Sequence, residues 1–281
     1  MTENAAVRRT LDHLVLPTAD LVTARTRLAA LGFTVAPEGV HPFGTRNACV
    51  YFENGTFMEP LAIGDRAAVK TAADAGNSFI LRDRLFREAY GEEGLSAVVL
   101  STRDAEADHA AFVDAGISAG AMVEFSRPSI DAEGRTDVAS FRLAFASEGS
   151  PGAFVFTCER RKVPAIDRST LERHANTVTR IARIDAVSDD PDTFARFLGM
   201  VADAGEAAGR EVVLEDTVLR IAGDSSASGA RFAGVTFGVR ELSATAALFN
   251  ANGIDYETRE NTLRVPSAPG QGVDFIFEEI R

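Results

Sequence analysis

The stretch LDHLVLPTADLVTARTRLAALG, residues 11–32, decides the fold, because the chain writes it again as LSAVVLSTRDAEADHAAFVDAG at residues 95–116. Each copy opens with an apolar run that reads as a strand, passes a Thr-x-Asp turn and enters a helix. Asp20 and Asp104 stand at the N-cap, where a short acceptor side chain satisfies a free helical N–H. Gly32 and Gly116 stand at the stop, where glycine takes the left-handed turn. The distance from cap to stop is twelve positions in both copies, and twelve again from Glu241 to Gly253. Chance rarely reproduces strand, cap, helix length and stop together, so the chain carries an internal repeat.

Working outward from residue 32, FTVAPEG, NACVYFEN and TFMEPLAI read as three further strands. The last two are joined by Asn54-Gly55, which supplies the positive φ angles of a tight hairpin. The unit is therefore β-α-β-β-β. The second unit continues with AMVEFSR, VASFRLAFAS and GAFVFTCERR. A third begins at IARIDAVSDD, with Pro191 in the first turn of its helix, followed by EVVLED and TVLRIAG. A fourth begins at FAGVTFGVREL and ends with DYETREN, TLRVPSA and VDFIFEEI. One such unit leaves a sheet face uncovered, so units must pair into curved, half-open sheets.

The expected fold is α+β: four βαβββ modules paired into two domains with mixed sheets. The first domain covers residues 8–162, with modules at 11–63 and 95–160. A polar linker follows at 163–179, and a second domain covers 180–281, with modules at 180–222 and 232–280. Residues 64–94, with a helix around Ser78 to Tyr90, read as a connector.

Net charge is −12, with acidic residues spread along the chain, which argues against nucleic acid or an anionic membrane as partner. The N-terminus MTENAAVRRT has no apolar leader core, and no run approaches a membrane span. Cys49 and Cys158 lie in apolar runs and read as core fillers in a reducing, cytoplasmic protein.

Two histidines and one acid stand out. His13 lies in the first strand and Glu59 lies inside the apolar strand TFMEPLAI. A carboxylate buried in a strand needs a partner, since an isolated buried charge costs several kcal/mol. The bland alternatives are a hydrogen-bonded core histidine, and a strand that buries Met58 and turns Glu59 to water. Beside that strand lies the polar cluster His41, Gly44, Thr45, Arg46 and Asn47. It is either a turn or the wall of a cleft, where Arg46 would pair with a carboxylate and Asn47 would hydrogen-bond a carbonyl.

These residues resemble the vicinal oxygen chelate superfamily, built from paired βαβββ modules. The motif-bearing residues are Asp12-His13, the segment His41-Pro42-Phe43-Gly44-Thr45-Arg46-Asn47, and Phe57-Met58-Glu59. They are similar to the Asp-His, His-Pro-x-Gly-Thr-x-Asn and strand-borne Glu of glyoxalase-like domains. The resemblance spans the chain in module order and is motif-specific for residues 11–63.

It implies that the first and fourth strands of a module can each point a metal ligand into the cleft, and His13 and Glu59 match those positions. The implied cofactor is one divalent ion, Zn, Mn, Fe, Co or Ni, or none. The equivalent positions elsewhere are Ala97 and Phe156, Arg183, and Gly234, with Glu278 lacking a histidine partner. The implied function is binding of a small oxygen-rich metabolite. Glu59 and His13 would be catalytic in lyase or isomerase chemistry, and His41, Thr45, Arg46 and Asn47 would bind substrate. The alternative is metal-free sequestration of a small molecule, as in bleomycin-resistance proteins. A homodimer is compatible with either.

Overall fold

The structure, a computed structural model, describes residues 8–130, 136–205 and 209–280. Residues 1–7, read above as lacking a leader core, lie outside the described residues. The first module runs β1 (Leu11–Pro17), α1 (Leu21–Ala30), β2 (Gly39–Val40), β3 (Thr45–Asn47), β4 (Val50–Tyr51) and β5 (Phe57–Ile63). Helices α2 (Arg66–Asp74) and α3 (Ser78–Tyr90) follow. The second module is β6 (Ala97–Thr102), α4 (Ala105–Asp114), β7 (Val123–Ile130), β8 (Thr136–Ala146) and β9 (Phe154–Lys162). The third is β10 (Val178–Ser188), α5 (Pro191–Val201), β11 (Glu211–Val213) and β12 (Val218–Gly223). The fourth is β13 (Arg231–Val239), α6 (Leu242–Ala251), β14 (Glu257–Arg259), β15 (Thr262–Val265) and β16 (Asp274–Glu279).

The repeat is built by its caps. Asp20, Asp104 and Asp190 each accept a helical N–H, while Glu241 holds the same place and instead accepts from the Ser243 hydroxyl. Gly32, Gly116 and Gly253 stop their helices at φ 85°, 70° and 65°. Two expected strands differ. FTVAPEG is mostly irregular, because Pro37 has no N–H to give and ladder pairing starts at Gly39. NACVYFEN breaks at Ala48-Cys49 into β3 and β4.

The strands form two mixed sheets, ordered β2-β3-β5-β1-β6-β9-β8-β7 (with β4 also on β5) and β11-β12-β10-β13-β16-β15-β14. In the first, β1 runs parallel to β5 and β6 parallel to β9, and the two modules meet along the antiparallel β1–β6 pair. The second repeats this with β10/β12, β13/β16 and an antiparallel β10–β13 seam.

One face of the first sheet shares its core with the second sheet: Leu14, Met58 and Val98 belong to the same buried cluster as Phe237, Phe249 and Phe277. Phe33 is the junction, with ring centroids 6.3 Å from Phe52, 5.2 Å from Phe237 and 6.2 Å from Phe277. Just before it, Gly32 lets α1 approach α6, since a Cβ there would collide with Leu248 and crowd Asn176 at 3.0 Å.

Both segments read as connections are packed. In 163–179, Asn176 donates to Leu31 O at 2.8 Å and accepts from Thr245 Oγ1, through its own carbonyl, at 2.7 Å. His174 accepts the Thr34 N–H at 3.0 Å and donates from Nε2 to Tyr51 O at 2.9 Å. Helix α3 lies on the other face of the first sheet, where Phe79 and Ile80 join Val15, Leu61, Val99 and Phe156 in a second cluster. Polarity and a proline mark these segments as non-strand, but their contacts are long-range. Among the described residues no helix is long and apolar enough to cross a membrane.

Candidate functional site

The face of the first sheet that α3 partly covers holds a cavity of about 500 Å³. Its floor is made by β1 and β5. β1 is buried along its whole length, as befits a strand with neighbours on both edges. Strand alternation would send Asp12 and His13 to opposite faces, yet both line the cavity. The β1–β6 register shifts between Leu11 and His13, and this irregularity turns the two neighbours to one side. In consequence His13 Nδ1 lies 2.6 Å from Asp12 Oδ1. Asp12 Oδ2 in turn takes Arg160 Nε at 2.9 Å.

On β5, Met58 faces the shared core and Glu59 faces the cavity, buried and 5 % exposed. Glu59 Oε2 lies 3.5 Å from His13 Nε2, and Oε1 lies 3.5 Å from His41 Nε2 and 2.5 Å from Asn47 Nδ2. His41 is fixed by the turn that follows β2. Its backbone N–H donates to Thr45 O, its carbonyl accepts from Gly44, and its Nδ1 meets Thr45 Oγ1 at 2.9 Å. Gly44 closes that turn at φ 93°. Arg160, Asp12, His13 and Glu59 therefore form a line of alternating charge, the arrangement a buried cluster needs to offset desolvation.

Burial pulls the His13 imidazole down, but the hydrogen bonds and charges of Asp12 and Glu59 outweigh it and hold its pKa above the ordinary histidine range. Burial pushes Glu59 up, and the His13 hydrogen bond, the imidazole charges and the Asn47 amide pull it down to about 2. His41 is lowered by burial to about 4, against the attraction of Glu59. The cavity thus offers a fixed carboxylate, an imidazole with a carboxylate facing each ring nitrogen, and a neutral imidazole. Burial raises both cysteine thiols, Cys49 to about 12, so neither is an activated nucleophile.

The predicted site residues divide by role. His13, His41 and Glu59 converge in the cavity. Thr45 and Asn47 stand behind it, holding His41 and Glu59. Arg46 does not belong: β3 alternates buried, exposed, buried, and Arg46 takes the outward position, pairing with Glu38 at 3.1 Å. His109 lies on α4 away from the site, and His174 is a packing residue between Phe33 and Phe52.

Sequence reading missed Arg160, Tyr51, Arg127 and Arg168, all of which line the cavity. For Arg160 the signal was present. Phe156, aligned opposite Glu59, starts a period of two along β9 whose later members Cys158, Arg160 and Lys162 also line the cavity.

The donor chemistry of two imidazoles and a carboxylate is of a kind that divalent transition metals accept. The placement does not match it. Among the described residues no group of three or more His, Cys, Asp or Glu side chains is arranged to hold a metal ion. Glu59 commits both oxygens inside the cluster, and His13 faces it as a proton donor.

The glyoxalase-like domain family matches residues 11–201. No curated protein matches the sequence. Similar solved structures include a hypothetical protein from Staphylococcus aureus, with TM-score 0.68 and 13% identity over 96% of this chain and 99% of that one. A mutant form of 4-hydroxymandelate synthase from Streptomyces coelicolor gives 0.65 and 11% over 97% and 93%. The Mn(II)-bound glyoxalase from Novosphingobium aromaticivorans gives 0.52 and 11% over 97% and 83%. At such identities the likeness carries the fold alone, and the family match carries membership: the chain belongs to the glyoxalase-like domain family of the vicinal oxygen chelate superfamily.

Proposed function

We propose that the chain acts on a small oxygen-bearing molecule in this cavity, moving a proton at a carbon next to a carbonyl, as an isomerase or lyase does. The observation that carries the reading is the line Asp12–His13–Glu59 at the floor of an apolar-walled cavity. Asp12 fixes the ring of His13 by its Nδ1, so that Nε2 is the proton presented to the cavity. His13 donates to the carbonyl oxygen as negative charge develops there, and Glu59 takes the proton from the neighbouring carbon.

The two roles are coupled. The His13 hydrogen bond and charge are among the chief causes that keep Glu59 weakly basic. As His13 hands its proton to the substrate oxygen, Glu59 gains basicity. Asn47 keeps Glu59 aimed, and Thr45 keeps His41 aimed.

A metal-free binding protein is the second reading. It is favoured by the full set of partners Glu59 already has, which leaves the cluster satisfied without substrate.

The test is deuterium incorporation from D2O into a panel of small ketones and 2-oxo acids, followed by proton NMR. Wild type is expected to exchange the α-position of at least one, and Glu59→Gln and His13→Asn to lose it by about a hundredfold, the usual reach of general acid–base catalysis. Equal rates in wild type and Glu59→Gln would leave the binding reading in place.

A further inference from the structure

The chain carries a net charge of −12, yet four cations, Arg127, Arg160, Lys162 and Arg168, line its cavity. Two are already neutralised, Arg160 by Asp12 and Lys162 by Asp137 at 2.5 Å. Arg127 and Arg168 pair with no carboxylate among the described residues. Each lies over a ring instead: Arg168 is 4.5 Å from the Tyr51 centroid, and Arg127 is 5.9 Å from that of Phe141. Both line the same cavity, Arg168 over the ring of Tyr51 on β4 and Arg127 against Gly39 at the start of β2. Gly39 makes room for this, since a Cβ there would strike the Arg127 guanidinium.

A chain of ring contacts runs from Arg168 to the floor. Arg168 lies on Tyr51, Tyr51 is 5.4 Å from Phe57, and Phe57 stacks on His13 at 4.4 Å, with rings within 10° of parallel. Across the cavity the wall is aromatic too, with Phe43, Phe79, Phe125, Phe141 and Phe156. A guanidinium held over a ring, with no carboxylate on it among the described residues, can turn its outward N–H groups to a ligand, and favours a planar carboxylate. An aromatic lining favours a ring. The volume of about 500 Å³ lies within the range of small-molecule sites.

We propose that the cavity takes an aromatic carboxylate, with its acid group at Arg168 and Arg127, its ring among the phenylalanines, and its far end at His13 and Glu59. The placement of the far end rests on the proton-transfer reading above; the anion and ring assignments stand without it.

Calorimetric titration of the full chain with three probes tests this: trans-cinnamate, its uncharged analogue cinnamamide, and the ringless anion sorbate. Cinnamate is expected to bind at least tenfold tighter than either. Arg168→Gln is expected to lose about tenfold for cinnamate and nothing for cinnamamide, as for a lost charge-assisted hydrogen bond. Arg168→Lys should recover part of the loss. If Arg168→Gln fails to fold, Arg127→Gln carries the same comparison.

The proposal is overturned if cinnamate and cinnamamide bind alike, if sorbate matches cinnamate, if no probe binds, or if the folded arginine variant keeps full affinity for cinnamate. Cinnamate selectivity without any deuterium exchange would retire the proton-transfer reading and leave this one standing. Exchange without cinnamate selectivity would do the reverse.

Discussion

Asp12 and His13 are neighbours in a strand, yet their side chains meet on one side of the sheet, 2.6 Å apart. A regular strand forbids this, and the register shift of β1 against β6 permits it. The shift places a buried carboxylate between the His13 ring and Arg160, where it balances both.

Asp12→Asn keeps the shape and removes that carboxylate, leaving Arg160 and the His13 Nδ1 facing a neutral amide. Breaking one side of a buried pair costs about 3–5 kcal/mol, so urea denaturation should show a loss of that order. The His13 titration, followed by NMR, should also move down, because Asp12 supplies a hydrogen bond and a charge that hold it up. A titration midpoint unchanged by the substitution would contradict the role given to Asp12.

Three neighbours on β3 separate the inward from the outward face. Arg46→Ala removes a half-exposed side chain paired with Glu38, and stability should stay within about 0.5 kcal/mol of wild type. Asn47→Ala strips a buried hydrogen bond from Glu59, and Thr45→Val strips one from His41. Each should cost about 1–3 kcal/mol, the penalty of a buried polar group left unpaired. Equal losses at all three positions would mean that the alternation of β3 is misassigned.

Acid should destabilise the fold well before carboxylates titrate. His41 and His174 are both lowered by burial to about 4, so between about pH 6.5 and 4 the unfolded chain takes up protons that the folded one refuses. Stability therefore falls as pH drops through that window, by on the order of a few kcal/mol for each buried histidine. His13 has the opposite sign: its raised pKa stabilises below about pH 6.5, and that contribution is lost as pH rises through the folded value. His174→Gln removes one proton-linked group outside the site. The difference in urea midpoint between pH 7 and pH 5 should then be smaller than in wild type.

The Asp12–His13–Glu59 cluster satisfies its own charges, so chelation should leave it unmoved. Melting temperatures with and without EDTA should agree, and dialysis against Mn(II), Zn(II) or Ni(II) should leave less than one equivalent bound at the site. Stoichiometric metal in wild type, absent from His13→Ala and Glu59→Ala, would show that the side chains rearrange around an ion.

The module order, the caps and the stops were legible because they are local: a strand, an Asp at the N-cap and a Gly twelve residues on fix α1 and α4, and Glu241 and Gly253 repeat the spacing at α6. His13, His41 and Glu59 were legible as polar residues set in apolar strands or a turn. Arg46 was misjudged because its neighbours Thr45 and Asn47 point inward, and one residue along a strand reverses the face. The connector and linker resisted reading for another reason. Phe79 and Arg168 matter through partners far away in sequence, Phe156 and Tyr51, and no local pattern encodes that meeting.

Phe33 joins the two sheets through one aromatic junction, and Gly32 seats α1 against α6 directly beside it. The halves are therefore not interchangeable parts. A breakpoint placed between residues 163 and 179, where polarity alone suggests a safe cut, would strip the tether that bonds to Leu31 and Tyr51 and expose two aromatic faces at once. The shared core binds the repeated modules into a single unit, to be expressed whole.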